Sequence, residues 1–197
     1  MPSTINASNG ASSGLISTGD ASGVLQLQTN NGTTALTLGT DQSATFAGAG
    51  SFAGKLTLAG SSSTLASLLT NMSEIATVSA TSSTGTITYD VTTQSILYYT
   101  VNAAGNWTIN FRASSGTSLN TAMSTGQAIT VAFLATNGPT AYYNTAVQVD
   151  GSAVTPKYQG GTAWAAGNAS SIDVYVYTII KTGNAAFTVL AAQTRYA

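Results

Sequence analysis

The placement of aromatic side chains constrains this chain more than any motif does. All nine Tyr, both Trp and three of the five Phe lie beyond residue 85, while residues 1–85 hold only Phe46 and Phe52. Aromatic rings carry the largest apolar area per side chain. Residues 86–197 can therefore close a conventional core, and residues 1–85 lack the bulk to do so as a single copy.

The aromatic-poor part reads as three pieces. Residues 1–14, with Pro2, Asn9-Gly10 and Ser12-Ser13-Gly14, predict an extended arm. Residues 15–62 contain short alternating runs separated by Gly, in which Leu25 and Leu27, Leu36 and Leu38, and Leu56 and Leu58 each place two apolar side chains on one strand face. Asn30-Asn31-Gly32 supplies a hairpin turn between the first two runs. Strands with two leucines each bury too little to offset chain entropy alone, whereas three chains around an axis would share those leucines in one seam. Over residues 63–80 the period changes. Leu65, Leu68, Met72 and Ile75 follow the spacing of a coiled-coil seam, with Ser61–Ser63 as N-cap candidates, and predict a short helical neck.

Residues 85–197 read as an all-β domain. Candidate strands cover Thr86–Val91, Ser95–Val101, Asn106–Arg112, Ala128–Ala135, Ala141–Val149, Ala153–Tyr158, Ile172–Lys181 and Ala186–Thr194, with turn chemistry at Asn137-Gly138-Pro139, Asp150-Gly151 and Gly183-Asn184. A helical turn is expected around Leu119–Met123. The fold class that follows is mainly β: an N-terminal β-rich intertwined stalk, a short coiled-coil-like helix, and a C-terminal antiparallel β-sandwich of jelly-roll type.

Chemistry is scarce in this composition. The chain has no His and no Cys, only 11 formally charged side chains in 197 residues, and 57 Ser or Thr. Proton shuttles, thiolates and zinc sites draw on residues it lacks, so no catalytic residue, metal or cofactor is expected. Five scattered cations (Lys55, Arg112, Lys157, Lys181, Arg195) form no basic stripe, which argues against nucleic acid. No run approaches the roughly 18 apolar residues that span a bilayer, and residues 1–20 lack a signal-peptide pattern, so no membrane insertion is expected. Gly50–Lys55 is a poor phosphate loop, with Ala49 and Leu56 where the pattern needs Gly and Ser or Thr. The six acids are isolated in sequence. A weakly charged surface is suited to being covered by copies of the same chain or by a larger assembly.

The aromatics are the remaining candidates for contact with a partner. On Ile172–Ile180, Asp173, Tyr175 and Tyr177 share one face, and Ile172, Val174, Val176 and Thr178 the other. Such a tyrosine face binds sugar rings or packs against a core or a neighbouring subunit. Trp164, in the Gly160–Asn168 loop, is the foremost candidate for an exposed contact, with Tyr142, Tyr143 and Tyr158 beside it.

Particular segments carry a resemblance. Gly14–Asn31 (GLISTGDASGVLQLQTNN) and Thr33–Ala47 resemble N-terminal segments of bacteriophage tail fibres and related virion proteins. Asn106–Thr117 (NWTINFRASSGT), Ala141–Asp150, Pro156–Gly161 and Gly167–Asp173 are similar to C-terminal domains of structural proteins from tailed phages of aquatic bacteria, cyanophages included. The resemblance implies a non-enzymatic homotrimer located in the virion, bound to other tail or capsid proteins and presenting its C-terminal knob to a host-surface glycan or protein. A capsid decoration, cement or head-fibre protein is the structural alternative. A carbohydrate-binding module or a small depolymerase is the alternative from another class.

Overall fold

The structure, a computed structural model, describes residues 24–29, 33–40, 43–47 and 73–197, and divides the chain into two compact units that part at Leu68 and Leu69. The expected arm (1–14), Leu56, Leu58, Leu65, Leu68 and Met72 lie outside the described residues.

The first unit contains a three-stranded antiparallel sheet of β1 (Leu25–Thr29), β2 (Thr33–Leu38) and β3 (Ala44–Phe46). Its register sets Leu25 opposite Leu38 and Leu27 opposite Leu36, and continues to Ala44 and Phe46 on the third strand. Directly paired residues share a face, so the leucines gather on one side. Gln26, Thr37 and Thr45, paired in the same way, form the other. The two leading runs read from alternation are therefore strands of one hairpin.

The second unit is a sandwich of two sheets. Its strands are β4 (Ala76–Ser82), β5 (Gly85–Asp90), β6 (Ile96–Val101), β7 (Trp107–Arg112), β8 (Ala128–Thr136), β9 (Asn144–Val149), β10 (Ser152–Val154), β11 (Lys157–Tyr158), β12 (Ile172–Gly183) and β13 (Ala186–Tyr196). One sheet runs β10-β9-β7-β5, and the other β11-β13-β12-β8-β6-β4. Period-2 alternation decides which side chains face inward: Trp107, Ile109 and Phe111 on β7, and Tyr175, Tyr177 and Ile179 on β12, are all essentially inaccessible.

Consecutive strands from β4 to β9 alternate between the two sheets. Each crossing reverses the chain, so strands two apart run the same way, and β4, β6 and β8 pair in parallel, as do β5, β7 and β9. This corrects the expectation of a wholly antiparallel sandwich. Antiparallel pairing is confined to β12 with its neighbours β8 and β13, and to the β9–β10 hairpin. That hairpin turns on Asp150 (φ 51°) and Gly151 (φ 79°), the two positive-φ positions that such a turn demands. The run read as one strand from Ala153 to Tyr158 breaks into β10 and β11 around Pro156, which has no N–H for a ladder, and the two pieces join different sheets.

The neck is the second correction. Residues 73–75 are not helical and β4 opens at Ala76, so the predicted seam residue Ile75 precedes a strand and is 68% exposed. The Ile75 carbonyl accepts the N–H groups of Ser95 and Ile96, and Val78 pairs with Tyr98. A ladder to β6 suits the β-branched Thr77 and Val78 better than a two-heptad helix would.

Helix α1 (Leu119–Ala122) is one turn long and held at both ends by charge. The Asp150 carboxylate accepts the N–H groups of Leu119 (2.6 Å) and Asn120 (2.9 Å). Buried Lys181 donates to the carbonyls of Met123 (2.8 Å) and Asn120. Such caps satisfy the backbone groups that a single turn leaves open. No helix among the described residues is long and apolar enough to cross a membrane.

Candidate functional site: an aromatic plug and two apolar sheet faces

The four aromatics proposed as a contact surface pack inward. Tyr142, Tyr143, Tyr158 and Trp164 are all half-buried against the core. The Trp164 ring meets Tyr158 edge-on at 4.7 Å, Tyr175 at 5.2 Å and Tyr177 at 6.4 Å, and its Nε1–H donates to the Asn144 carbonyl at 2.6 Å. Trp164 thus corrects the expectation of an exposed contact. It plugs the inner surface of β12, and Trp107 and Phe133 continue the ring stack with centroids 5.5 and 5.8 Å apart along Tyr175–Trp107–Phe133.

Asp173 pins the loop that delivers this plug. Its fully buried carboxylate accepts the Asn168 backbone N–H (2.9 Å), the Asn137 side chain (3.1 Å) and the Asn168 side chain. A Cβ at Gly167 would stand 2.0 Å from the Tyr142 carbonyl oxygen, so only glycine fits at that crossing. Burial raises the Tyr89, Tyr175 and Tyr177 hydroxyls above their ordinary range, aided by the charge of Glu74 at Tyr89 and of Asp173 at Tyr175.

The other described acids also have structural partners. Asp90 pairs with Arg112 at 2.5 Å, Asp150 caps α1, and Glu74 accepts from the Ser95 hydroxyl. Among the described residues no three His, Cys, Asp or Glu side chains gather into a metal-binding group.

Two surfaces remain that chemistry of contact can use. In the three-stranded sheet the leucine face is open, with Leu25 47% and Leu27 44% exposed. In the sandwich the outer face of the six-stranded sheet carries paired rows: Ala76, Ile96, Ala132, Val176 and Ala192 in one, and Val78, Tyr98, Leu134, Val174 and Thr194 in the next. Leu190 extends the patch beside Thr178, and Lys157, at the β11 edge, is the one charge in these rows among the described residues. The outer face of the four-stranded sheet is the opposite in character, with Thr86 beside Thr108, Asn110 between Thr88 and Gln148, and Asp90 beside Arg112.

The Ile172–Ile180 alternation separates the buried tyrosine face of β12 from its outer face. The outer face is nonetheless richer in apolar residues than that of β7: β12 shows Ile172, Val174, Val176 and Ile180 around Thr178, and β8 shows Ala132 and Leu134 between Thr130 and Thr136, whereas β7 (WTINFR) alternates with polar residues. Searches against protein-family models, curated proteins and solved structures give no match for this chain.

Proposed function

We propose that this chain is a non-enzymatic structural component of a phage virion, a trimeric appendage of tail-fibre type. Residues 15–62 would form the anchor and intertwined stalk, preceded by the arm of residues 1–14, and the sandwich the knob that meets a host-surface molecule or a neighbouring virion protein. The observation that carries this reading is the leucine face of the three-stranded sheet. Its strands are only five, six and three residues long. Ordering each residue costs about 1–2 kcal/mol, while a leucine left nearly half exposed returns only about 1 kcal/mol. Copies that close on the face complete its burial.

The scarcity of charge and the phage-like segments support the same reading. The polar Thr, Asn and Gln face of the four-stranded sheet favours a second one, a glycan-binding module, because flat arrays of amides and hydroxyls suit sugar hydroxyls. Sedimentation of the purified full chain tests the assembly. A species of three chains of 19.8 kDa is expected, and a monomer at micromolar concentration would overturn it. Antibody labelling of particles then separates tail from head, and a glycan array with a polysaccharide-degradation assay separates a structural knob from a sugar-binding module or depolymerase.

A further inference from the structure

We infer that the sandwich carries a saccharide site at one end of its four-stranded sheet, where the end of β7, the turn that follows it and the tip of the β9–β10 hairpin surround a cavity of about 370 Å³. The inference rests on the glycan-binding reading above, and adds where the sugar sits and which class of sugar it is. Asn110, Arg112, Ser114, Ser115, Thr117 and Asp150 line the cavity, and no apolar side chain does. The volume falls within the usual range of small-molecule sites, about 300–1,000 Å³.

Bonds within the fold already hold the main polar groups in place. Asn110 Oδ1 accepts the Gly151 N–H at 2.8 Å, which leaves the amide nitrogen as the donor that Asn110 can offer. Arg112 gives its Nε–H to Asp90 at 2.5 Å and an Nη2–H at 3.3 Å, and keeps the rest of its guanidinium for donation. Each oxygen of the Asp150 carboxylate accepts one backbone N–H of α1, at 2.6 and 2.9 Å, and retains a lone pair for a second donor. Ser114 and Thr117 exchange backbone hydrogen bonds at 3.0 and 3.3 Å, closing the turn that carries Ser115. Groups fixed before a ligand arrives lose little freedom when it binds.

The chemistry of this set selects the ligand. Donors and acceptors stand together, and a hydroxyl is both at once, so neighbouring hydroxyls of a sugar ring match the array. A peptide would find no pocket for an apolar side chain. Arg112 is neutralised by Asp90, so among the described residues the cavity offers no unpaired cation to phosphate, nucleic acid or an acidic sugar, and the Asp150 carboxylate opposes them. An uncharged saccharide is what remains. Thr88 and Gln148, on either side of Asn110, continue the polar row across the sheet and give further sugar units hydroxyl and amide partners.

The full-length protein is screened on an array of oligosaccharides built from neutral hexoses and from hexuronic acids, and the tightest binder is titrated by calorimetry. Binding to a neutral oligosaccharide is expected. Asn110→Asp keeps the acceptor for the Gly151 N–H and removes the amide donor, while Thr117→Ile keeps a β-branched side chain at an exposed position and removes the hydroxyl. Each is expected to weaken binding about tenfold or more, with the circular dichroism spectrum unchanged. Thr130→Ala, on the outer face of the six-stranded sheet, is expected to bind as the parent does. Undiminished binding by either variant that folds overturns the site and leaves the glycan-binding reading standing. A preference for the uronic acid oligosaccharides overturns the assigned class of sugar. Failure to bind either set overturns the site together with the glycan-binding reading, and leaves the assembly of the chain to be decided by sedimentation.

Discussion

The indole Nε1–H of Trp164 donates to the backbone carbonyl of Asn144 at 2.6 Å, tying the long loop before β12 to the first residue of β9. The bond fixes the ring over Tyr175 and Tyr177, so the tryptophan belongs to the core. Trp164→Ala is accordingly expected to lower unfolding stability by about 3 kcal/mol in a denaturant titration. Trp164→Phe keeps a ring and is expected to lose only the hydrogen bond, about 1 kcal/mol. An alanine variant as stable as the parent would show that the ring stands clear of the core.

Asp173 is expected to control the same loop from below. Asp173→Ala removes the acceptor for the Asn168 backbone and side chain and for Asn137, leaving buried donors unpaired. The expected cost is about 3 kcal/mol, accompanied by new protease cleavage within residues 159–171. Cleavage elsewhere, with that segment still protected, would contradict the assigned role.

Tyr175 and Tyr177 sit two residues apart on one buried face and differ in their hydroxyls. The Tyr175 oxygen accepts from the Gln193 amide at 3.0 Å, while the Tyr177 oxygen has no partner among the described residues. Tyr177→Phe is therefore expected to be neutral or stabilising, within about 1 kcal/mol, and Tyr175→Phe to cost about 1 kcal/mol. Paired thermal melts decide it, and equal losses for the two would refute the distinction.

Alkaline pH is expected to unfold the protein through these tyrosines. Their folded values lie above the ordinary value of 10, because burial disfavours the phenolate at Tyr89, Tyr175 and Tyr177. Above pH 10 the unfolded chain releases protons that the folded chain retains, so stability is fully present below pH 10 and falls as pH rises. Each such tyrosine contributes a slope of up to about 1.4 kcal/mol per pH unit. Melting temperature followed from pH 8 to 12, together with phenolate absorbance, should show ionisation of the buried set coinciding with unfolding. Buried phenolates formed in a still-folded protein would disprove it.

Much of the local structure was legible without coordinates. Alternation located β7 and β8, the Asp150-Gly151 pair marked the hairpin, and the turn of helix at Leu119 was anticipated, because each signal lies within a few residues. Candidate contacts fared differently. Nothing adjacent to Trp164 announces that Asn144, 20 residues earlier, will receive its N–H. Ile75 carried helical spacing, yet its carbonyl is engaged by Ser95 and Ile96 across the sheet.

Local pattern is enough to establish that the chain is mainly β, where most strands of the sandwich lie, and which side chains share each strand face, because alternation is a property of neighbouring residues. Long-range contacts set which strands pair, that β4 to β9 weave between two sheets in parallel sets, and that the tryptophan loop folds inward. Those outcomes depend on contacts such as Val174 with Leu134, 40 positions apart, whose energies no local pattern encodes.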